Sequence, residues 1–321
     1  MSHCIRPPVV RHAVALAAVV GLGAASLPAA AAFDSLQIFG DSLSDNGNLN
    51  ALIGYPPPPY FFGRFSNGPV AAEYLAAGLG LNAAHFFDHA YGGATTGVDG
   101  QAPNTGLLSQ VSTFTTALGG NAANSNALYL VWAGANDFLH APAGQSVQVT
   151  IGNAVTNLAT AVSTLHAKGA TQFLLPLMPD LGATPRALTL DAAMPGTAAS
   201  LSFVSSVFNA SLLNAYGGLG AGWSDEHFYY FDTFAVQHAS LAAAAAAGKN
   251  TTEACYIEGV KPLCTGYGLH HYYFDDIHPT TAVHQTLAAG MLAAVPEPQT
   301  MLLMAVGVLG LLGVAWRRPH A

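Results

Sequence analysis

Continuous apolar runs alternate with segments of helical spacing along residues 33–295. Short apolar runs between turn residues predict strands, and apolar residues that recur every three or four positions predict helices. The predicted strands are residues 35–39, 85–91, 127–133, 172–178 and 227–231. The predicted helices are residues 69–79, 107–118, 151–167, 197–216 and 280–292. Because such alternation is typical of parallel sheets covered by helices, we expect an α/β fold, a three-layer α/β/α sandwich.

Polar residues or glycines directly follow three of these strands, at the edge where parallel sheets bind ligands. Ser42 follows the first strand, and we expect it at a helix N-terminus, where N–H groups and the helix dipole favour negative charge. Gly92 and Gly93 follow the second strand and allow a backbone N–H to approach a ligand. Asn136 follows the third strand and can donate to a developing oxyanion. Each signal alone also fits a helix cap or an ordinary turn.

His278 precedes the last predicted helix, in the sequence Asp-Asp-Ile-His-Pro. A serine nucleophile needs a base that titrates near neutral pH, and the imidazole needs a carboxylate on its other nitrogen. Asp275 and Asp276 both precede His278, and the spacing favours Asp275. The alternative is that Asp276 caps the helix and His278 is a surface residue.

The N-terminal end of the chain predicts a targeting segment. Within residues 1–32, basic residues precede an apolar run over 13–27, and three alanines follow at 30–32. This order is typical of a cleaved secretory signal peptide, and an N-terminal membrane anchor is the alternative.

The C-terminal end carries a second apolar run, residues 300–316, followed at once by Arg317 and Arg318. As a helix this run would be about 26 Å long, near the lower limit for spanning a bilayer, with the arginines on the cytoplasmic side. A simple C-terminal anchor is one explanation. We expect three parts: a signal peptide (1–32), one domain (33–295) and a sorting or transmembrane tail (296–321).

Composition narrows the possible partners. The five cations and 16 carboxylates of residues 33–295 give a net charge of −11, which disfavours nucleic acids and anionic membranes. Cys255 and Cys264 are an even pair at short spacing in an exported chain, which predicts one disulfide; two free buried thiols are the alternative. His270, His271 and Asp275 lack a further ligand at metal spacing, so we predict no metal site.

The stretches that carry these residues resemble the sequence blocks of the GDSL family of SGNH hydrolases. The matching blocks are residues 39–48, 90–94, 134–137 and 275–280, and a stretch similar to one in longer members is residues 64–69. The resemblance implies the same three-layer, flavodoxin-like fold. The segment 295–298, with the apolar run and arginine pair behind it, resembles the PEP-CTERM sorting signal of Gram-negative bacteria.

The family resemblance implies a role for each site residue. Ser42 would be the nucleophile, His278 the base that takes its proton, and Asp275 the residue that orients the imidazole. The oxyanion hole would consist of the backbone N–H groups of Ser42 and Gly93 and the side chain of Asn136. No metal or cofactor is implied.

The sequence therefore predicts an exported ester hydrolase that acts through an acyl-enzyme, on a small-molecule, lipid or glycan ester. The tail implies a sorting protease as partner, and delivery to the cell surface or the medium. The aromatic, proline-rich segment 55–62 suggests an apolar acyl group, or is only a packed lid. Polysaccharide deacetylation and a non-catalytic surface protein are the alternatives. Asp88 stands where many family members have Asn, and its role stays open.

Overall fold

The structure is a computed structural model that describes residues 33–295. The signal peptide predicted for residues 1–32 and the tail predicted for residues 296–321 lie outside the described residues.

A five-stranded parallel sheet forms the centre of the domain. Its strands are β1 (Ser35–Gly40), β2 (Phe86–Asp88), β3 (Ala127–Trp132), β4 (Gln172–Pro176) and β5 (His227–Phe231), in the order β2-β1-β3-β4-β5. Every residue of β1 and β3 is buried, because helices cover both faces of the sheet. Strands buried on both faces need continuous apolar runs, and this explains why their positions could be predicted.

Nine helices surround the sheet in the part of the chain described. They are α1 (Asn48–Ile53), α2 (Ala71–Gly78), α3 (Leu107–Ala117), α4 (Ala135–Leu139), α5 (Val147–Ala167), α6 (Pro185–Ala193), α7 (Thr197–Gly220), α8 (Thr233–Ala246) and α9 (Thr281–Ala294). One face of the sheet packs against α3, α5 and α7, and the other against α2 and α9. The predicted three-layer α/β/α fold is confirmed.

Helix α7 is long and apolar enough, by length and composition, to cross a membrane, and it is the one such helix among residues 33–295. Phe208, Leu212 and Tyr216 on one of its faces are buried in the core of the domain. We therefore describe it as a helix of the outer layer.

A small sheet that the sequence did not predict joins β6 (Asn250–Ala254) to β7 (His271–Tyr273). The chain between these strands contains the disulfide that links Cys255 to Cys264. Strand β6 is mostly exposed and carries polar side chains, so it lacks the apolar run that marks the central strands.

The strand order reverses direction between β1 and β3, because β2 lies on one side of β1 and β3 on the other. Ligands of such sheets bind beyond the carboxyl ends of the strands at this switch point. Ser42 follows β1, and Asn136 is the second residue of α4, which begins just after β3, so both flank the switch point.

Candidate active site

Ser42 lies in a tight turn directly after β1. The carbonyl of Asp41 accepts the N–H groups of Ser44 and Asp45, and the Asp41 carboxylate accepts that of Leu43. The expectation that Ser42 stands at a helix N-terminus is wrong, because α1 begins only at Asn48. The Asp45 carboxylate accepts the first N–H groups of that helix instead.

The side chain of His278 lies between those of Ser42 and Asp275. Its Nε2 is 2.7 Å from the Ser42 hydroxyl oxygen, and its Nδ1 is 2.7 Å from Oδ2 of Asp275. A carboxylate only accepts, so Nδ1 carries the proton and Nε2 is left to accept from the hydroxyl. Asp276 points elsewhere and forms a two-pronged ion pair with Arg186, at 2.7 and 3.0 Å.

Asp275 is buried, yet it is held in its ionised form. Burial is the strongest single influence and raises its pKa, but the charge of His278 and the hydrogen bonds from His278 and the backbone lower it further. The net effect is a pKa below the usual range for Asp. The carboxylate is therefore charged at neutral pH and can stabilise the imidazole of His278 when that ring gains a proton.

Three further donors border the same cleft as Ser42 and His278. The backbone N–H groups of Ser42 and Gly93 have no acceptor within residues 33–295, and Asn136 donates one amide hydrogen to the carbonyl of Ala94 at 3.0 Å. Gly93 has φ of +70°, a conformation that side chains rarely adopt. A Cβ on the preceding Gly92 would lie 2.1 Å from the Phe65 ring. Glycine is therefore required at position 93 by the backbone conformation and at position 92 by the close packing of the Phe65 ring.

Two carboxylates, that of the buried Asp45 and that of the partly buried Asp88, connect the loops that carry these donors. Asp45 accepts the N–H of Gly92 at 2.7 Å, which ties the turn after β1 to the turn after β2. Asp88 accepts the N–H groups of Asn46 and Ala90, both within 2.9 Å. Burial raises the pKa of Asp88 well above its usual value. In this structure Asp88 connects the two loops and does not line the cleft.

Two aromatic residues at the site carried no separate prediction. The phenol of Tyr60 donates to Oδ2 of Asp275 at 2.7 Å, and the ring of Phe65 packs 5.0 Å from that of His278, centroid to centroid. Tyr60 lies in the proline-rich segment 55–62, and Phe65 lies in the stretch 64–69 that resembles longer family members. Their partners lie more than 200 residues away in the sequence, so pattern alone could not pair them. Phe62, in contrast, is 78% exposed.

Two chambers meet at the side chains of Ser42, Asn136 and His278. The first spans about 630 Å³ between atoms, and its lining is mostly apolar; this volume and that of the second include space open to solvent. That lining includes Leu43, Trp132, Leu181, Tyr272, Ile277 and Leu287. The second measures about 620 Å³ and is more polar, with Tyr55, Tyr60, Gln101, His140 and Arg186 in its walls. An ester carbonyl held at Ser42 would have space on either side.

One group of metal-ligating residue types occurs within the described range, Cys255 with Cys264 and His271. The sulfurs of the two cysteines are bonded to each other. Since a metal binds the thiolate form, the disulfide leaves only the histidine nitrogen as a ligand. His270 and Asp275 are not part of this group.

Comparison with known proteins gives a family for most of the chain. Residues 36–291 match the family described as GDSL-like Lipase/Acylhydrolase, and residues 294–318 match the PEP-CTERM protein-sorting motif. The motif indicates export and sorting in a Gram-negative bacterium.

Individual relatives are more distant. A phosphatidylcholine-sterol acyltransferase of Aeromonas hydrophila is 32% identical over 209 residues, 63% of this chain and 59% of that protein. The thermolabile hemolysin of Vibrio parahaemolyticus is 28% identical over 274 residues, 79% of this chain and 62% of that protein. The match therefore spans about three fifths of each of these relatives. A solved lipolytic protein of the G-D-S-L family from Veillonella parvula is 16% identical, with a TM-score of 0.45 over 81% of this chain and 96% of that one.

Proposed function

The chain belongs to the GDSL-like lipase/acylhydrolase family, and from this premise we propose that it is a serine hydrolase of carboxylic esters. The observation that carries the proposal is the unbroken hydrogen-bonded series from Asp275 through His278 to Ser42. Both contacts measure 2.7 Å, within the range for a nucleophile bonded to its base.

The reaction follows from this geometry in two stages. The Ser42 oxygen attacks the ester carbonyl while Nε2 of His278 accepts the hydroxyl proton, and the Asp275 carboxylate stabilises the imidazolium that forms. The N–H groups of Ser42 and Gly93 and the Asn136 amide donate to the oxyanion. The imidazolium then protonates the departing alcohol and leaves an acyl-enzyme. A water molecule then gives a proton to His278 and attacks the acyl carbon. When the bond between that carbon and the Ser42 oxygen breaks, the imidazolium returns the proton to Ser42 and the carboxylic acid leaves.

The two chambers support an assignment of the two halves of the ester. The apolar chamber would take the acyl chain and the polar one the alcohol. The apolar lining extends from Ser42 past the end of β3 at Trp132 to Thr233 after β5. This path crosses three strand spacings, about 14 Å, which at about 1.3 Å per C–C bond fits an acyl chain of about ten carbons.

Hydrolysis of p-nitrophenyl esters by the purified protein tests the activity. We expect Ser42→Ala to lose activity, and Ser44→Ala to keep it because the buried Ser44 hydroxyl makes no hydrogen bond in the described part of the chain. Each added methylene should raise kcat/KM by up to about fourfold, from about 0.8 kcal/mol of burial, until the chain reaches about ten carbons. Equal turnover by wild type and Ser42→Ala would contradict the nucleophile.

The second candidate is removal of acetyl groups from an exported polysaccharide. The sorting motif and the polar chamber favour it, since the lining of that chamber includes the aromatic residue Tyr55 and the amide of Gln101. Release of acetate from acetylated polysaccharide, with no gain in rate as the acyl chain grows, would select this substrate. Wild type that is inactive on every ester would instead favour a non-catalytic surface protein.

We also propose where the protein acts. The sorting motif supports delivery to the cell surface or the medium, with residues 1–32 as the signal peptide and the tail as a transient anchor for a sorting protease. Mass spectrometry of the protein in cells and in medium tests this. A mature form that begins near residue 33 and ends near residue 295 is expected, and an intact chain held in the inner membrane would contradict it.

A further inference from the structure

Tyr60 donates its phenolic hydrogen to the carboxylate that orients His278. The distance is 2.7 Å, and the accepting atom is Oδ2 of Asp275, the same oxygen that accepts from Nδ1 of the imidazole. Tyr60 is only 9% exposed. Burial and the neighbouring carboxylate both raise the pKa of Tyr60, so the phenol stays protonated and remains a donor.

Among residues 33–295 the Asp275 carboxylate accepts four hydrogen bonds, and Tyr60 supplies the only one of these from outside the loop of Asp275. Oδ1 accepts the backbone N–H groups of Ile277 and His278, at 2.9 and 2.6 Å, and Oδ2 accepts from His278 and Tyr60. Without Tyr60, every donor to the carboxylate would move together with residues 275–278. Arg186 anchors the loop through Asp276, and the phenol of Tyr60 ties the Asp275 carboxylate itself to a different part of the domain.

Tyr60 itself is rigidly held. The backbone N–H of Tyr60 donates to the carbonyl of Pro57. The residue before it, Pro59, accepts a hydrogen bond from the hydroxyl of Tyr267 through its carbonyl. Its ring makes edge contacts with Phe274 and Tyr256, beside the buried Cys255 of the disulfide. A side chain fixed on three sides can place its hydroxyl accurately, which an exposed, mobile tyrosine cannot do.

We propose that Tyr60 is a positioning residue of the reaction, one that holds Asp275 against His278 and limits how strongly the carboxylate favours the imidazolium. The inference rests on the proposed function. A hydrogen bond from a neutral donor stabilises the negative charge of the carboxylate, so the carboxylate attracts the imidazolium less strongly. With Tyr60 in place, His278 releases its proton at lower pH and is available as a base over a wider range. Without it, the imidazolium is favoured and the base is lost sooner on acidification.

Other titratable groups around this pair also shape the pH profile. Those that interact with the charge of Asp275 or His278 from neighbouring elements are Asp41, Tyr55, Arg186 and His284. Arg186 and Asp276 neutralise each other as an ion pair. Burial raises the pKa of Asp41 to about 6, so this carboxyl group loses its proton in the pH range in which a histidine base would act. The test therefore needs a direct reading of the His278 ring as well as a rate.

The variant Tyr60→Phe removes one oxygen and keeps the ring. Tyr256→Phe is the matched control, because Tyr256 contacts the same rings and its hydroxyl makes no hydrogen bond within residues 33–295. In Tyr60→Phe we expect the acid limb of kcat/KM to move upward by about half to one pH unit, so that activity one unit below the wild-type midpoint falls by about three- to tenfold more than at the plateau. The control should keep the wild-type limb.

NMR of ¹⁵N-labelled histidine gives the direct reading. The pH midpoint of the His278 ring signals should move in the same direction and by the same amount in Tyr60→Phe. An unchanged midpoint, or a downward shift, would overturn the inference even if activity falls. If no ester is hydrolysed by wild type, the proposed function fails, while the NMR titration still decides the role of Tyr60.

A second replacement covers the case in which Tyr60→Phe does not fold. Trifluorotyrosine at position 60 keeps the ring and strengthens the hydroxyl as a donor. The expected shift of the acid limb and of the ring titration is then downward, opposite to that of Tyr60→Phe. A shift in the same direction for both replacements would contradict the mechanism.

Discussion

His284 should make the domain less stable in acid. This histidine is fully buried in α9, where its Nδ1 accepts the N–H of Ala71 and its Nε2 has no partner within the described residues. Burial, with a smaller contribution from the charge of His278, lowers the pKa of His284 to about 3. A protonated imidazole would lose its acceptor role towards Ala71 and place an unpaired charge in the core.

The size of the effect follows from proton linkage. In the unfolded chain His284 takes up a proton at about pH 6.5, whereas in the folded chain it does so only near pH 3, so the unfolded state binds more protons between these values. Stability is therefore fully present above about pH 6.5 and falls as the pH is lowered. At pH 5 the loss from this one residue is about 2 kcal/mol in the free energy of unfolding.

Urea unfolding at pH 7 and at pH 5 measures this difference. We expect wild type to lose about 2 kcal/mol more between the two pH values than His284→Gln, whose amide oxygen can still accept from Ala71. His85→Gln is the control, because His85 is exposed and should leave the pH dependence as in wild type. If wild type and His284→Gln lose the same free energy, then His284 does not stay neutral in the folded protein, and the reasoning from its burial is wrong.

Three further outcomes are expected. Asn136→Ala removes one oxyanion donor, so it should lower kcat by about 10²- to 10³-fold in the p-nitrophenyl ester assay with little change in KM. A change confined to KM would instead assign the Asn136 amide to substrate binding. Replacing Cys255 and Cys264 together by serine should lower the free energy of unfolding by about 2–3 kcal/mol in urea, because the closed loop is short; an unchanged midpoint would mean that the loop adds no stability. Gly92→Ala should lower the thermal midpoint and the activity, because its Cβ would meet the Phe65 ring at 2.1 Å, whereas Gly120→Ala, at an exposed turn with open space and no positive φ, should retain both.

The central layer of the fold could be predicted because burial on both faces leaves a continuous apolar run. Strand β5 has the bounds that were predicted, residues 227–231, and β1, β3 and β4 differ from the prediction by one or two residues at one end. The predicted strand 85–91 is regular only to Asp88, although His89 and Tyr91 still donate to β1. The N–H of Ala90, between these two donors, donates to the Asp88 carboxylate and not to a strand.

Local pattern failed where an element has no apolar face of its own. Helix α6 begins with a proline and carries a mixed sequence, and β6 is largely exposed and, among the described strands, pairs only with β7. The helix expected at Ser42 failed for a different reason. The helix begins later, where the Asp45 carboxylate accepts its first N–H groups. The residue type at Ser42 gives no information about that later cap.

The residue types of the site could be read from the sequence, but their partners could not. The hydrogen bonds of His278 with Ser42 and of Asp275 with Tyr60 span 236 and 215 residues. Only the folded chain brings these loops together, because residues 275–278 follow β7 of the small sheet and Tyr60 lies between α1 and α2. The resemblance supplied Ser42, His278 and Asp275 as a set, and Tyr60 carried no motif, so its contact with the carboxylate emerges only from coordinates.

The arrangement of the two chambers has a consequence for how substrate choice and chemistry can be separated. Ser42, Asn136 and His278 border both chambers, so a change at any of them alters binding and catalysis together. Leu181 borders only the apolar chamber, and Gln101 borders only the polar one. A variant at Leu181 should therefore change the preferred acyl length and leave the response to different alcohols unaltered, and a variant at Gln101 should do the reverse. If both variants changed both preferences, the ester would not be divided between the chambers, and the acyl chain would have to share the polar cleft with the alcohol.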